Sequence, residues 1–533
     1  MDLVKRRGGA GNASLGRAAV AALAGIYFVV ACTWGLIVPL FGGPDEPGHF
    51  IRAVAVIRGE LIGRDVPVSA AGMDYWATTV ELDRRYANAN LGPACFARYA
   101  NAPACRFDLA AGEGGPSRIY TSVGRYPPLV YAVYGLASVL GTQNSSVYLA
   151  RMLNALVCAF LFAVALWAIR DRPGYAFVAL VVAIPPGTTF MAGMINPSGP
   201  ELTAAVALWL MTGRLLGSDS SRGSARLRID AGDRFGWMAA AVTLCATRAL
   251  GPFFALVIVV CSMVASELGW SAIWARARRL GWLVVVAMVA GVFNAGWYLA
   301  VFEARTATSI AAGTASLNVA GRIVRTIGEI PALLAQMIGN FGWLDTPAPS
   351  IVTWSWITGA AIIVAVAFSR GTTRLRLAMG AVAGATLVLL VVGEEQANTL
   401  SRQLWAQGRH IEPLLLGVLL LPVFARSEPL QSLSRHRRSA IIGSATLVAV
   451  SQLHTLRRYA IGLDNYSLIA VLRRPVWQPP ATAMVAVLVV LVAMTLAITG
   501  GSRLTRPVSL SRPTRRPSDP PAAMPSVSAV VAG

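Results

Sequence analysis

The chain has 533 residues, 55% of them hydrophobic and only 13% charged, about half the charged share of an ordinary soluble domain (roughly 25%). Too few polar residues remain to cover a water-facing surface, so a soluble enzyme is excluded and lipid is the main solvent. The formal charge of +21 would suggest nucleic acid as a partner of a soluble chain. Here the arginines fall in short segments between apolar runs, a pattern that sets membrane topology and builds no nucleic-acid face.

In chain order, residues 1–17 form a short N-terminus with Lys5, Arg6, Arg7 and Arg17. The apolar run 18–40 is too long for a signal peptide and has no clean small-residue cleavage site, so it is expected to stay as a first helix entered from the cytoplasm. An outer loop at 43–125 follows. The stretch 126–140 opens with Pro127 and Pro128, and its roughly 15 residues reach only about 22 Å, which predicts a re-entrant or interfacial helix. Further spans are expected near 147–169, 175–191, 197–216, 237–250, 251–268, 280–302, 351–369, 377–393, 411–425, 439–454 and 481–500.

The fold class is therefore an all-α polytopic membrane protein with about twelve transmembrane helices and a large first outer loop. Its parts are a membrane core at 18–425, C-terminal transmembrane helices at 426–500 and a tail at 501–533 rich in Pro, Ser and Arg. The tail has little to bury and is expected to be disordered. With twelve spans both termini are cytoplasmic, and Arg170, Arg172, Arg276, Arg278, Arg279 and the arginines of 370–376, 426–438 and 503–516 all fall inside. Arg457, Arg458, Arg473 and Arg474 break the rule by falling outside.

The outer loop opens with Gly43-Pro44-Asp45-Glu46-Pro47-Gly48-His49-Phe50. One reading is a solvated turn that starts a short helix. The other notes two adjacent carboxylates and an imidazole at head-group height, where Asp45 or Glu46 would take a proton from an acceptor hydroxyl or hold a divalent cation. Cys95 and Cys105 lie in the same loop, and a disulfide between them is expected if the loop faces an oxidising compartment. No Cys/His spacing suggests zinc.

Other candidates lie at predicted outer boundaries. Asn196 and Glu201 bracket the start of a helix, as caps or as contacts to sugar hydroxyls; Asp345 is a second acid or a cap. Arg402, Arg409 and His410, with Arg457 and Arg458, form an arginine-rich outer group suited to a lipid phosphate, or to anionic head groups. Arg248 sits near the end of a membrane run, where an arginine is functional or snorkels outward.

The run Pro44-Asp45-Glu46-Pro47-Gly48-His49-Phe50 followed by Arg52, with Asn196-Pro197-Ser198-Gly199-Pro200-Glu201, Phe341-Gly342-Trp343-Leu344-Asp345-Thr346 and Gln407-Gly408-Arg409-His410, resembles the signatures of the bacterial membrane-protein family DUF2142. That family in turn resembles the C-type glycosyltransferase fold. The resemblance implies that Asp45 or Glu46 is the acid-bearing catalytic position, with His49 and Arg52 beside it in the substrate site. It also implies the bacterial cytoplasmic membrane as location.

The expected activity is an inverting transfer of a sugar from a polyprenyl-phosphate donor to an envelope glycan or lipid acceptor. Expected partners are the bilayer, the lipid-linked sugar and the acceptor, and the sole expected cofactor is a divalent cation at Asp45 and Glu46. A transporter or flippase of lipid-linked saccharides and a non-catalytic envelope assembly protein are the alternatives.

Overall fold

The computed structural model describes residues 15–70, 73–110, 114–172, 174–217, 229–301, 319–397, 407–425, 427–465 and 467–505. The tail beyond 505, residues 1–14 and Arg402 lie outside the described residues.

Among the described residues seven helices are long and apolar enough to cross a bilayer: Arg17–Ile37, Gln143–Ala168, Trp282–Ala300, Ser350–Arg370, Thr373–Gly393, Gln431–Ile461 and Ala483–Leu504. A bent pair, Tyr175–Val182 with Pro186–Ala192, turns by 70° and forms a broken span or a re-entrant loop. The bend falls at Pro185-Pro186, where two backbone donors are missing and the preceding residue is driven out of the helical region. The bundle is wrapped around Ser198–Leu216, buried on almost every side. A helix apolar all round has no face to give to water, and this one takes the centre. Gly193 allows a tight crossing, since a Cβ there would sit 2.4 Å from the Ala31 carbonyl oxygen.

Two ends of the bundle can be told apart by their contacts. At one end Arg170 pairs with Asp233 (2.6 Å) and Asp230 (2.9 Å), and Arg214 pairs with Asp233 (2.9 Å) and Asp171 (2.8 Å). Nearby, Arg276 donates to the Leu215 and Gly217 carbonyls and Arg374 to that of Ser266. At the other end lie Asp45, Glu46, Arg248, Arg409 and Arg458. Arg151 lies about two turns inside the helix Gln143–Ala168 and Arg170 just beyond its end, and nineteen residues at about 1.5 Å each separate them by about 28 Å, close to the thickness of the hydrocarbon layer.

The described chain departs from the all-α expectation in the large polar loop after the first helix. Strands Arg64–Ala70, Met73–Asp83 and Pro116–Tyr120 make an antiparallel sheet in the order of the chain. Along the middle strand Val80 and Leu82 are buried while Glu81 between them is exposed, the alternation of a half-buried strand. Ile119 opposite Val80 completes that face, which packs on the Glu46–Ile57 helix through Phe50 and Val54. A two-stranded ribbon also joins Asn340–Phe341 to Thr346–Pro347.

Two helices occupy stretches read from sequence as loop: Val319–Gly339, with Pro331 inside it, and Trp270–Leu280. Arg322, Arg325 and Glu329 interrupt the apolar run of the first, which is why hydropathy passes over it. The 126–140 stretch forms Pro128–Gly135 and Ala137–Leu140, resting on the Glu46–Ile57 helix, where a Cβ on Gly135 would meet the Ala53 carbonyl at 2.4 Å.

Candidate functional site

Proline ends the first helix at Pro39, and the chain turns through Phe41 and Asp45, both with left-handed backbone (φ 62° and 57°). Non-glycine residues hold that conformation only where surrounding contacts over-determine it. The main contact is Glu46, fully buried as the first residue of the next helix. Its Oε1 accepts from Arg151 Nε (2.8 Å) and the Ile195 amide (3.0 Å), and its Oε2 from Arg151 Nη2 (2.7 Å) and the Gly43 amide (3.0 Å). Arg151 spends its remaining donors on the Gly35, Val38 and Pro39 carbonyls at 2.7–2.8 Å. The pair ties the exit of the first helix to the helix that carries Arg151.

Asp45 is different in kind. Its side chain keeps 45% of its exposure and its Oδ2 accepts from Arg409 Nη2 at 2.7 Å, across 364 residues of sequence. Partial burial pushes the carboxyl up, but the Arg409 guanidinium, aided by Arg248, more than offsets this and holds it below the ordinary carboxylate value. Arg409 keeps only 11% of its side-chain exposure, and its Nε and Nη1 are buried with no acceptor among the described residues.

Around this pair stand His49, Tyr126, Tyr131, Arg248, Glu201 and Tyr298. The His49 Nδ1 lies 2.8 Å from the Tyr131 hydroxyl, and burial pushes its imidazole down to about 3, so the ring is neutral. Tyr126 meets both His49 and Tyr298 edge-on at 6.4 Å between centroids. Arg248 reaches the Ser198 hydroxyl (2.8 Å) and Glu201 (3.4 Å), and its charge acts on Asp45, His49 and Arg409 alike.

Several residues expected at the substrate are taken up by the protein itself. Arg52, fully buried, donates to the Glu60, Leu61 and Tyr126 carbonyls. Asn196 holds the Pro44 carbonyl (2.9 Å) and accepts from the Ser198 amide (2.9 Å). Arg458 is fully buried and bound to Asp345 (2.9 Å), while His410 accepts the Gln407 amide at 3.3 Å in a capping box. Arg457 sits beside His454 in the same helix. The cation site expected at Asp45 and Glu46 does not fit this geometry: both Glu46 oxygens are saturated by N–H groups. Among the described residues no three His, Cys, Asp or Glu side chains converge.

Arg151 was not singled out from the sequence, although a lone arginine inside a 26-residue apolar helix is itself a signal of a buried partner. Asn154, one turn on, is likewise consumed, donating to the Met191, Ala192 and Met194 carbonyls. The tyrosines gave no sequence signal, because nothing in their spacing brings 126, 131 and 298 together.

These features define a helical membrane protein with one polar, arginine-bearing site at an end of its bundle. Residues 28–418 match the family described as predicted membrane protein (DUF2142), and the chain belongs to that family. None of the curated proteins matches it. Among solved structures it is similar to ArnT from Cupriavidus metallidurans in the apo state, with 14% identity, a TM-score of 0.29, and coverage of 82% of this chain and 83% of that one. The same protein bound to undecaprenyl phosphate matches with 14% identity, a TM-score of 0.28, and coverage of 83% and 84%. Values this low define neither a shared fold nor a shared activity.

Proposed function

We propose that the chain is a C-type membrane glycosyltransferase that moves a sugar from a polyprenyl-phosphate donor to an envelope glycan or lipid acceptor. The observation that carries this reading is the Asp45–Arg409 pair, in which a half-exposed carboxylate leans on a guanidinium that has two further buried donors and, among the described residues, no acceptor for them. Buried unpaired N–H groups cost about 1–3 kcal/mol each, and phosphate oxygens are charge-assisted acceptors for them. Donor phosphate on Arg409, with Arg248 behind it, loosens Asp45 from its partner. Asp45 then accepts the acceptor hydroxyl's proton as that oxygen bonds to the anomeric carbon. The bond from that carbon to phosphate oxygen breaks with its electron pair, and the phosphate leaves on the two arginines.

In this reading the shorter and more polar helices also cross, making about twelve spans, with 18–425 as the membrane core and 426–500 closing it. The end with Arg170, Arg214, Arg276 and Arg374 is cytoplasmic by the positive-inside rule. The site then opens on the outer face of a bacterial cytoplasmic membrane, with both termini inside. The test is turnover: purified protein in liposomes with a polyprenyl-phosphate-linked sugar and a glycan or lipid acceptor transfers the sugar, and Asp45→Asn protein does not.

One observation favours a carrier of lipid-linked saccharides instead. Glu412 is buried in the bundle, bonded to the Thr188 hydroxyl, with no cation paired to it among the described residues. Intramembrane acids of that kind serve proton-coupled transport. Glu412→Gln keeps the shape and the hydrogen bond, so an enzyme retains turnover within about twofold. Loss of saccharide movement across the bilayer in that variant, with no transfer activity in the parent, would establish the carrier.

A further inference from the structure

Behind the Asp45 turn lies a second polar cluster that the proposed chemistry does not use. Cys95 and Cys105 are joined, closing a loop across ten positions of sequence. Residues 92–105 contain no helix or strand, so no backbone ladder holds their carbonyls in place. Three of those carbonyls nevertheless converge on one group. Arg458, with no exposed side-chain surface, donates to Phe96 O (2.7 Å), Tyr99 O (3.1 Å) and Ala102 O (3.0 Å). Its remaining contacts are Asp345 Oδ2 (2.9 Å) and the Thr346 hydroxyl (3.1 Å), and that same Asp345 oxygen accepts from the Arg98 amide (2.8 Å).

The cluster reaches the Asp45 turn by two further bonds. Tyr459 accepts the Ala104 amide on its carbonyl (2.9 Å) and gives its hydroxyl to the Gly42 carbonyl (3.2 Å). Trp343, inside the turn that Asp345 closes, donates its indole N–H to the Phe41 carbonyl (3.1 Å). Phe41 and Asp45 are the two left-handed residues of the segment, a backbone state that relaxes when its contacts are withdrawn. Both cysteines are exposed, so a reductant in the surrounding solvent can reach the bond.

We propose that Arg458 is a positioning residue for the Asp45 turn and that the Cys95–Cys105 disulfide is its lock. With the loop closed, three carbonyls are presented to the buried guanidinium, and Asp345, Trp343 and Tyr459 hold Phe41 and Gly42 in place. When the loop is open those acceptors drift, Arg458 is left short of partners, and the turn loosens. The site is therefore assembled only where the loop is oxidised. What Asp45 does rests on the function proposed above; the positioning itself does not.

The experiment follows the maleimide reactivity of a cysteine at position 45 (Asp45→Cys) in membranes, read by mass spectrometry of the peptide that carries it. Arg458→Gln and the pair Cys95→Ser with Cys105→Ser are each expected to raise the labelling rate at least about tenfold, because a buried charge loses its partners. Arg458→Lys keeps the charge without the fork and is expected to fall between. Arg64→Gln, exposed on the sheet, leaves the rate unchanged. Equal rates throughout in protein that still unfolds at the parent temperature overturn the proposal. Should Arg458→Gln fail to fold, an unchanged rate in the disulfide-free variant overturns it alone. With Asp45 intact, Arg458→Lys is expected to lower kcat and leave KM for the donor unchanged. Faster labelling in these variants, with full turnover in Asp45→Asn, keeps the positioning role and removes the catalytic one.

Discussion

Glu46→Gln is expected to destabilise the protein by about 3–5 kcal/mol, because it leaves the Arg151 guanidinium buried and uncompensated. Set against a total stability of about 5–15 kcal/mol, that loss moves a large share of the chain out of the folded state. The size follows from burial, with exposures of 2% for Arg151 and 0% for Glu46. It follows also from the pair's position, where one contact joins the first helix, the Asp45 turn, the Ile195 turn and the helix of Arg151. Thermal unfolding in detergent measures it, alongside yield in membranes. A Glu46→Gln protein that melted with the parent and lost only turnover would return Glu46 to the catalytic role expected from sequence.

Asp45→Asn carries the opposite signature. It is expected to lower turnover by about 10²–10⁴-fold, the range for loss of a general base, with a smaller loss of stability than Glu46→Gln, because Asp45 is half-exposed and the amide oxygen of Asn still accepts from Arg409. Arg409→Gln is expected to lower turnover by about 10²–10³-fold through loss of charge stabilisation on the leaving phosphate. The pH profile has a definite sign. Arg409 depresses the Asp45 carboxyl relative to the unfolded chain, so whatever the pair adds to stability is present above the unfolded value and is lost as pH falls through the folded one. Turnover is accordingly expected to stay level through neutral pH on the Asp45 limb and to fall only below the ordinary carboxylate range. An acid limb centred near neutrality, or unaltered in Asp45→Asn, would assign the proton transfer to another group.

The contrast between these two variants turns on neighbouring residues that sequence could not tell apart. Asp45 and Glu46 carry the same chemistry, lie side by side and belong to the same motif. Which is structural and which is free depends on the direction each side chain leaves a helix start, and on Arg151 and Arg409 arriving from distant parts of the chain. The arginines show the same effect. Arg409 and Arg458 looked alike as outer cations suited to phosphate, yet Arg458 is surrounded by carbonyls while Arg409 has two donors with no acceptor among the described residues. Arg52 and Asn196, expected at the substrate, bond backbone groups instead.

Sequence alone determined the solvent of this protein, its long helices, its family and the large polar loop that carries the acids. Those properties follow from composition and from apolar runs whose length matches the bilayer, which are local and need no partner to be read. The partner of each buried charge, the strands within the polar loop and the interrupted helix at Val319–Gly339 were decided by tertiary structure. A buried ion or a half-buried strand is stabilised by groups tens to hundreds of residues away, and no local pattern records which of them arrives.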